Sequence, residues 1–423
     1  MQIPGALHAH IDAYCDRLPD EKLRRLYRRC ALSTWETALR EQEDGTVFVL
    51  TGDIPAMWLR DSAAQVTHYL PLSADPEVGA VVEGVIRRQL MYIAIDPYTN
   101  AFNPAPNGEG WVNDLPDHGP WAHERKYEVD SLCYPIRLLY LYWKHSGSDT
   151  LIREKLEETM SIILNVWRTE QHHMEQSPYW FVRPSDNPPC LPCEGKGNPV
   201  VYTGMTWSGF RPSDDPCTYG YLTASNMFAV VVLGYAAEML RAVCGNEDLA
   251  AACDALRADL DAAIQRHAVV EHPTYGPVYA CETDGMGHYS MLDDANVPSL
   301  LSIPYIGYAS VDDPIYQNTR RFLLGKDNPY YYEGTYARGI GSPHTPSRYV
   351  WHLALVMQGL TAVTAQEKRE MLSMIAATAG GTGLLHEGFF VDDPTVYTRE
   401  WFTWPCSLFA EFVEHCVDEG IVE

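Results

Sequence analysis

Residues 221–240, YLTASNMFAVVVLGYAAEML, are apolar on every side of a helix between Met227 and Ala237. A helix with no polar face has to be covered all round, so it belongs at the centre of a larger body. Directly before it stands TGMTWSGFRPSDDPCTYG, 203–220, where Pro212 and Pro216 with Gly204, Gly209 and Gly220 make a loop. That loop carries Trp207, Arg211, Asp214 and Asp215. A rigid charged loop at the mouth of a buried helix is a place where function concentrates.

The succession of amphipathic helix, long motif-bearing loop, apolar helix and short turn recurs along the chain. An amphipathic helix over 20–43 precedes the loop TGDIPAMWLRDS and an apolar helix over 63–72, after which Asp75 and Pro76 start the next amphipathic helix. NPAPNGEGWVNDLPDHGPWAHERKYEVD leads into a helix over 131–144, which Gly147 ends. ETDGMGHYSMLDDANVP feeds SLLSIPYIGYA, and Asp313–Pro314 starts its outer partner. EGTYARGIGSPHTPS feeds RYVWHLALVMQGLTAV, followed by a capping box of Thr364 and Glu367. HEGFFVDDPTVYTREWFTWP feeds the last helix, 407–415. Strands at PVYACETDG and WFVRP read as decoration. Six apolar helices, parallel neighbours in a ring, would gather all six loops at one end. The expected fold is all-α, an (α/α)6 toroid forming one domain over 1–423, because no linker or low-complexity tract divides it. The competing architecture is an open helical solenoid, which would keep the first and sixth loops apart.

Charge and cysteine content narrow the function classes. The formal net charge of −25 opposes nucleic acid and anionic membrane as partners. No uninterrupted run of about 18 apolar residues stands out as a membrane span, and the first residues show no basic then apolar leader. Eleven cysteines without zinc or disulfide spacing read as reduced thiols, which fits a cytoplasmic protein. The oligomeric state is not legible.

The loops hold the acids Asp53, Asp61, Glu128, Asp130, Asp214, Asp215, Asp293, Asp294, Glu387 and Glu400, beside Arg60, Arg211, His288, His344 and His386. Many carboxylates with guanidiniums and indoles in one funnel suit glycoside hydrolysis, where one carboxyl protonates the leaving oxygen and another activates water or attacks carbon. Arg60, Asp61, Glu128, Arg211 and His386 are candidates to grip a terminal sugar, and Trp58, Trp207 and Trp404 to stack on it; each could equally brace a loop or fill the core. Neighbouring Asp215 is expected to raise the proton affinity of Asp214 by like-charge repulsion. Asp293–Asp294 offers oxygen ligands without a recognisable divalent-metal spacing. No phosphate-binding fingerprint or nucleophile elbow occurs.

TGDIPAMWLRDSAAQ, ERKYEVDSLCYPIRL, TGMTWSGFRPSDD, GSPHTPSRYVWHLAL and LLHEGFFVDDPTVYTREWFTWPCSLFAEF resemble, in order and over nearly the whole chain, glycoside hydrolase family 125. The resemblance implies an exo-acting, inverting α-1,6-mannosidase on an (α/α)6 fold, with an α-mannoside oligosaccharide as substrate, no metal and no cofactor. It also implies Asp214 as general acid and Glu387 as general base. From the residues alone, another sugar-active toroid (a glucoamylase-like hydrolase or a sugar epimerase) and a non-catalytic glycan-binding protein remain open.

Overall fold

The computed structural model describes residues 1–184 and 190–422. Five of its inner helices are Leu59–Thr67, Val129–Ser146, Thr223–Met239, His352–Leu360 and Trp404–Asp418; the fourth position in the series is a single turn, Ile303–Ile306. Each is followed by an outer helix: Pro76–Ile95, Thr150–Gln171, Glu247–His267, Pro314–Leu323 and Ala365–Thr378, with Glu21–Thr37 covering the last. The Trp404–Asp418 helix packs on both Leu59–Thr67 and Glu21–Thr37, so the two ends of the chain meet and the ring closes. That closure excludes the solenoid. An additional helix, Gly5–Arg17, not anticipated from the sequence, packs near the junction.

Local chemistry accounts for the helix starts. Asp75 accepts the amides of Glu77 and Val78, and Asp313 that of Tyr316. Thr364 likewise accepts the Glu367 amide, but the Glu367 carboxylate turns away to Arg320 and Gln358, so only half of the expected capping box forms. Gly147 and Gly245 end their helices in the left-handed region, at φ 75° and 68°. The Thr223–Met239 helix continues to Cys244, and that 22-residue stretch is long and apolar enough by composition to cross a membrane. Its apolarity has a packing explanation: it lies in the ring against the Val129–Ser146 and Glu247–His267 helices.

Two boundaries differ from expectation in a way that matters. The first inner helix begins at Leu59 and the second at Val129, so Arg60, Asp61 and Asp130 lie in first helical turns rather than in free loops. The short strands are also more than decoration. Met57–Trp58, Ala101–Phe102 and Ala122–Glu124 form one antiparallel sheet, joining the first and second loops. Tyr221–Leu222, Glu282–Thr283 and Tyr289–Ser290 join the third and fourth, and Tyr349–Trp351, Gly388–Phe390 and Asp393–Tyr397 the fifth and sixth. The six loops therefore act as three hydrogen-bonded pairs.

Inner helices approach closely where side chains are small. A Cβ at Gly359 would stand 2.2 Å from the Phe412 ring. Gly359→Ala should therefore lose about 1–3 kcal/mol by overpacking, read as a lower urea midpoint; an unchanged midpoint would contradict this packing.

Candidate active site

Buried at the loop end of the ring, the Arg60 guanidinium meets four carboxylates: Glu128 at 2.5 Å, Asp130 at 3.3 Å, Asp61 at 3.4 Å and Asp214 at 3.5 Å. These come from the first inner helix, the start of the second and the third loop. One guanidinium cannot neutralise four clustered carboxylates, and burial pushes the Glu128 carboxyl well above the usual range despite Arg60. Burial likewise raises Asp61, to about 6, against the pull of Arg60. Asp214 differs. Its backbone is held left-handed at φ 69°, in a tight turn closed by Arg211 N–H to the Asp215 carbonyl and Asp214 N–H to the Arg211 carbonyl. Burial would raise its carboxyl, but Lys126, Arg60 and His344 together hold it below the usual carboxylate range. Lys126 also donates to the Asp214 carbonyl oxygen at 3.0 Å.

This corrects the expectation that Asp215 lifts Asp214. The Asp215 carboxylate turns to His344 Nδ1, 3.1 Å away, and the pair is nearly neutral when the imidazole is charged. Burial opposes that charge, but the Asp215 bond and the nearby Asp214 and Glu387 carboxylates raise His344 to about 9.

Across the cavity, Glu387 directly precedes the Gly388–Phe390 strand, and its carbonyl accepts the His352 amide. Arg399 Nη1 lies 3.6 Å from the Glu387 carboxylate, while its other nitrogens bond Asp53 and the Thr51 carbonyl. Asp214 and Glu387 line one cavity of about 210 Å³ with Trp58, Arg60, Asp61, Asn296, His344, Trp351, Arg399 and Phe402. A quarter of the Asp214 side chain reaches solvent there, and 9% of that of Glu387.

Of the residues singled out in the sequence, Trp58, Arg60, Asp61, Asp214, His344 and Glu387 thus share the cavity, with Glu128 bonded to Arg60 next to it. Asp215 stands one layer back, holding His344. Four other candidates for gripping or stacking on the sugar do not line it. The Trp207 ring is buried on His173, at 3.6 Å between centroids, with Gly220 and Gly197 pressed against it, so it wedges the third loop in place. Arg211 donates to Glu282 at 2.6 Å, and Glu282 also accepts the Thr218 and Tyr219 amides, which bolts the third loop to the fourth. The His386 ring stacks on Tyr397 and bonds the Arg399 carbonyl and Thr382, orienting the loop that carries Glu387. Trp404 is core, edge-on to Tyr134. Sequence reasoning passed over Lys126, Asn296, Trp351 and Phe402, which carry no local signal separating a cavity wall from a core. Asp293 caps the Leu300 and Leu301 amides and Asp294 takes the Ser213 hydroxyl, so both acids serve the loops. A larger hollow of about 750 Å³ lies outside the ring beside Tyr140, Tyr235 and Tyr308, away from this constellation.

Residues 20–414 match a family model described as metal-independent α-mannosidase. The chain belongs to glycoside hydrolase family 125. Among its relatives, the meiotically up-regulated gene 157 protein of Schizosaccharomyces pombe is 36% identical, over 94% of this chain and 83% of that one. A metal-independent α-mannosidase of Streptococcus pneumoniae, solved as a non-productive complex with α-1,6-mannobiose, is 44% identical with a TM-score of 0.96, over 98% of this chain and 99% of that one. A bacterial glucoamylase with acarbose shares 14% identity and a TM-score of 0.60, over 97% of this chain and 59% of its own, and attests the (α/α)6 fold alone. The protein is accordingly a metal-independent α-mannosidase, which displaces the glucoamylase-like, epimerase and binding-protein alternatives.

His344 supplies a test of the electrostatics. Its ordinary value is 6.5 and its folded value about 9, so its charge stabilises the fold fully below pH 6.5, and that contribution fades as pH rises to about 9. NMR of the imidazole should show a midpoint near 9, and His344→Gln should remove this part of the pH dependence of stability. A midpoint near 6.5 would contradict the pairing.

Proposed function

We propose that this family 125 enzyme is exo-acting and inverting, removing terminal α-1,6-linked mannose with Asp214 as acid and Glu387 as base. The observation that carries the reading is the shared cavity. Its two walls come from the third and sixth loops, and its volume of about 210 Å³ is below the roughly 300–1,000 Å³ of pockets for larger ligands. That leaves room for one sugar ring, as removal of a terminal residue requires. The α-1,6 linkage is supported by the mannobiose bound to the 44% identical pneumococcal enzyme.

In the reaction, Glu387 takes a proton from water as its oxygen bonds the anomeric carbon. The bond from that carbon to the glycosidic oxygen breaks with its electron pair going to oxygen, which accepts a proton from Asp214. Asp214 is ionised in the open cavity, so it must first be charged with a proton. Glu128 is placed to provide it: burial favours the protonated form of its carboxyl, and it shares the Arg60 guanidinium with Asp214. A sugar that displaces water from the cavity and crowds the Asp214 carboxylate favours transfer of that proton. Arg60, Asp61 and Asn296 offer donors and acceptors for sugar hydroxyls, and Trp58 and Trp351 offer flat faces. The free thiols throughout the chain support a reducing, cytoplasmic setting.

Asp214→Asn and Glu387→Gln should each lower turnover of α-1,6-mannobiose by about 10²–10⁴-fold. A dinitrophenyl α-mannoside, whose leaving group needs no proton, should recover most of the loss in Asp214→Asn and none in Glu387→Gln. Near-normal mannobiose turnover in either variant, or equal rescue of both, would refute the assignment.

A further inference from the structure

Trp111 is half exposed, at 50%, yet it is firmly held. The Arg183 guanidinium sits 4.1 Å from its ring centroid. That guanidinium is buried and donates to both oxygens of Asp114, at 2.7 and 2.6 Å, and to Glu124 at 2.7 Å. The Trp111 amide bonds the His123 carbonyl, and the Trp111 carbonyl accepts the Asp114 amide. One face of the indole is thus covered by a cation and the ring remains largely open to water.

The perch is tied to the cavity. Glu124, which grips Arg183, also pairs with Lys126 at 3.4 Å, and Lys126 donates to the Asp214 carbonyl. His123, on the same strand, places its ring 6.0 Å from that of Trp58, which lines the cavity. Trp111 therefore stands at the outer end of a run of charged contacts that starts at the proposed acid.

An exposed indole on a guanidinium anchored by two carboxylates is a flat, braced surface, suited to the C–H face of a pyranose. The charges around it suit a neutral ligand: the Asp114 and Glu124 carboxylates are matched by Arg183 and Lys126, and the chain's net charge of −25 repels anions. We infer that Trp111 forms a distal subsite that stacks a mannose ring on the reducing side of the scissile bond, beyond the first leaving-side sugar. This rests on the exo-mannosidase reading above and adds that the enzyme takes chains longer than a disaccharide.

The test compares α-1,6-mannobiose, which supplies only the cleaved sugar and the first leaving-side sugar, with linear α-1,6-mannotetraose. The wild-type kcat/KM should favour the tetraose. Trp111→Ala should lose about tenfold on the tetraose, one good stacking contact, with mannobiose turnover unchanged, and Trp111→Phe should retain most of the preference. An equal loss on both substrates would make Trp111 merely structural, and no loss on the tetraose would make it a surface for something other than this glycan; either overturns the inference while leaving the exo-mannosidase reading intact. A wild-type enzyme that cleaves neither substrate would instead overturn that reading, and the subsite with it.

Discussion

A single guanidinium, that of Arg60, holds together carboxylates from three separate parts of the chain: the first inner helix, the start of the second and the third loop. In water such contacts would count for little. Buried, they are strong and unforgiving, because removing the cation would leave charged acids without compensation at a cost of about 3–5 kcal/mol. The excess of acid over base has a second consequence. Crowding the four carboxyls around one guanidinium disfavours ionising them all, and burial raises the proton affinity of Glu128 most clearly. In the proposed mechanism, the interaction that locks the loops in place also holds the group that passes a proton to Asp214.

The small sheets set the rest of the geometry. By pairing the first loop with the second, the third with the fourth and the fifth with the sixth, they reduce six independent segments to three units. Asp214 and Glu387 belong to different units, and residues from a third, Trp58, Arg60 and Asp61, complete the wall between them. Cross-links keep the units in register: Lys126 to Asp214, His344 to Asp215 and Arg399 to Asp53 each join a different pair of loops. The left-handed backbone at Asp214 is tolerated within this frame, where aspartate pays less than most side chains for that conformation.

Much of this was legible in the sequence. Helical periodicity located the inner and outer helices, and Asp75, Asp313 and Thr364 announced their own helix starts, since a cap is a local interaction within three residues. The motifs carried the family. What could not be read depends on distant partners. Arg211 looked like a sugar ligand because Glu282, 71 residues away, gives no sign of itself in the loop that contains Arg211. Trp207 looked like a stacking platform because nothing local says that His173 and Gly220 will bury it. The short fourth inner element escaped notice because SLLSIPYIGYA is apolar enough for a helix, whereas the structure keeps only Ile303–Ile306 before Gly307 at φ 89°. The polar motif around Arg60 and Asp61 reads as loop and masks the first turn of a helix.

The central claim, that Asp214 and Glu387 act from opposite sides of one anomeric carbon with a water between, is tested most directly by the configuration of the sugar at the moment of release. Proton NMR of the anomeric region, recorded during the first minutes of α-1,6-mannobiose hydrolysis and before mutarotation, should show β-mannose appearing first. If α-mannose appears first, the enzyme retains configuration, Glu387 does not activate water, and the account is contradicted.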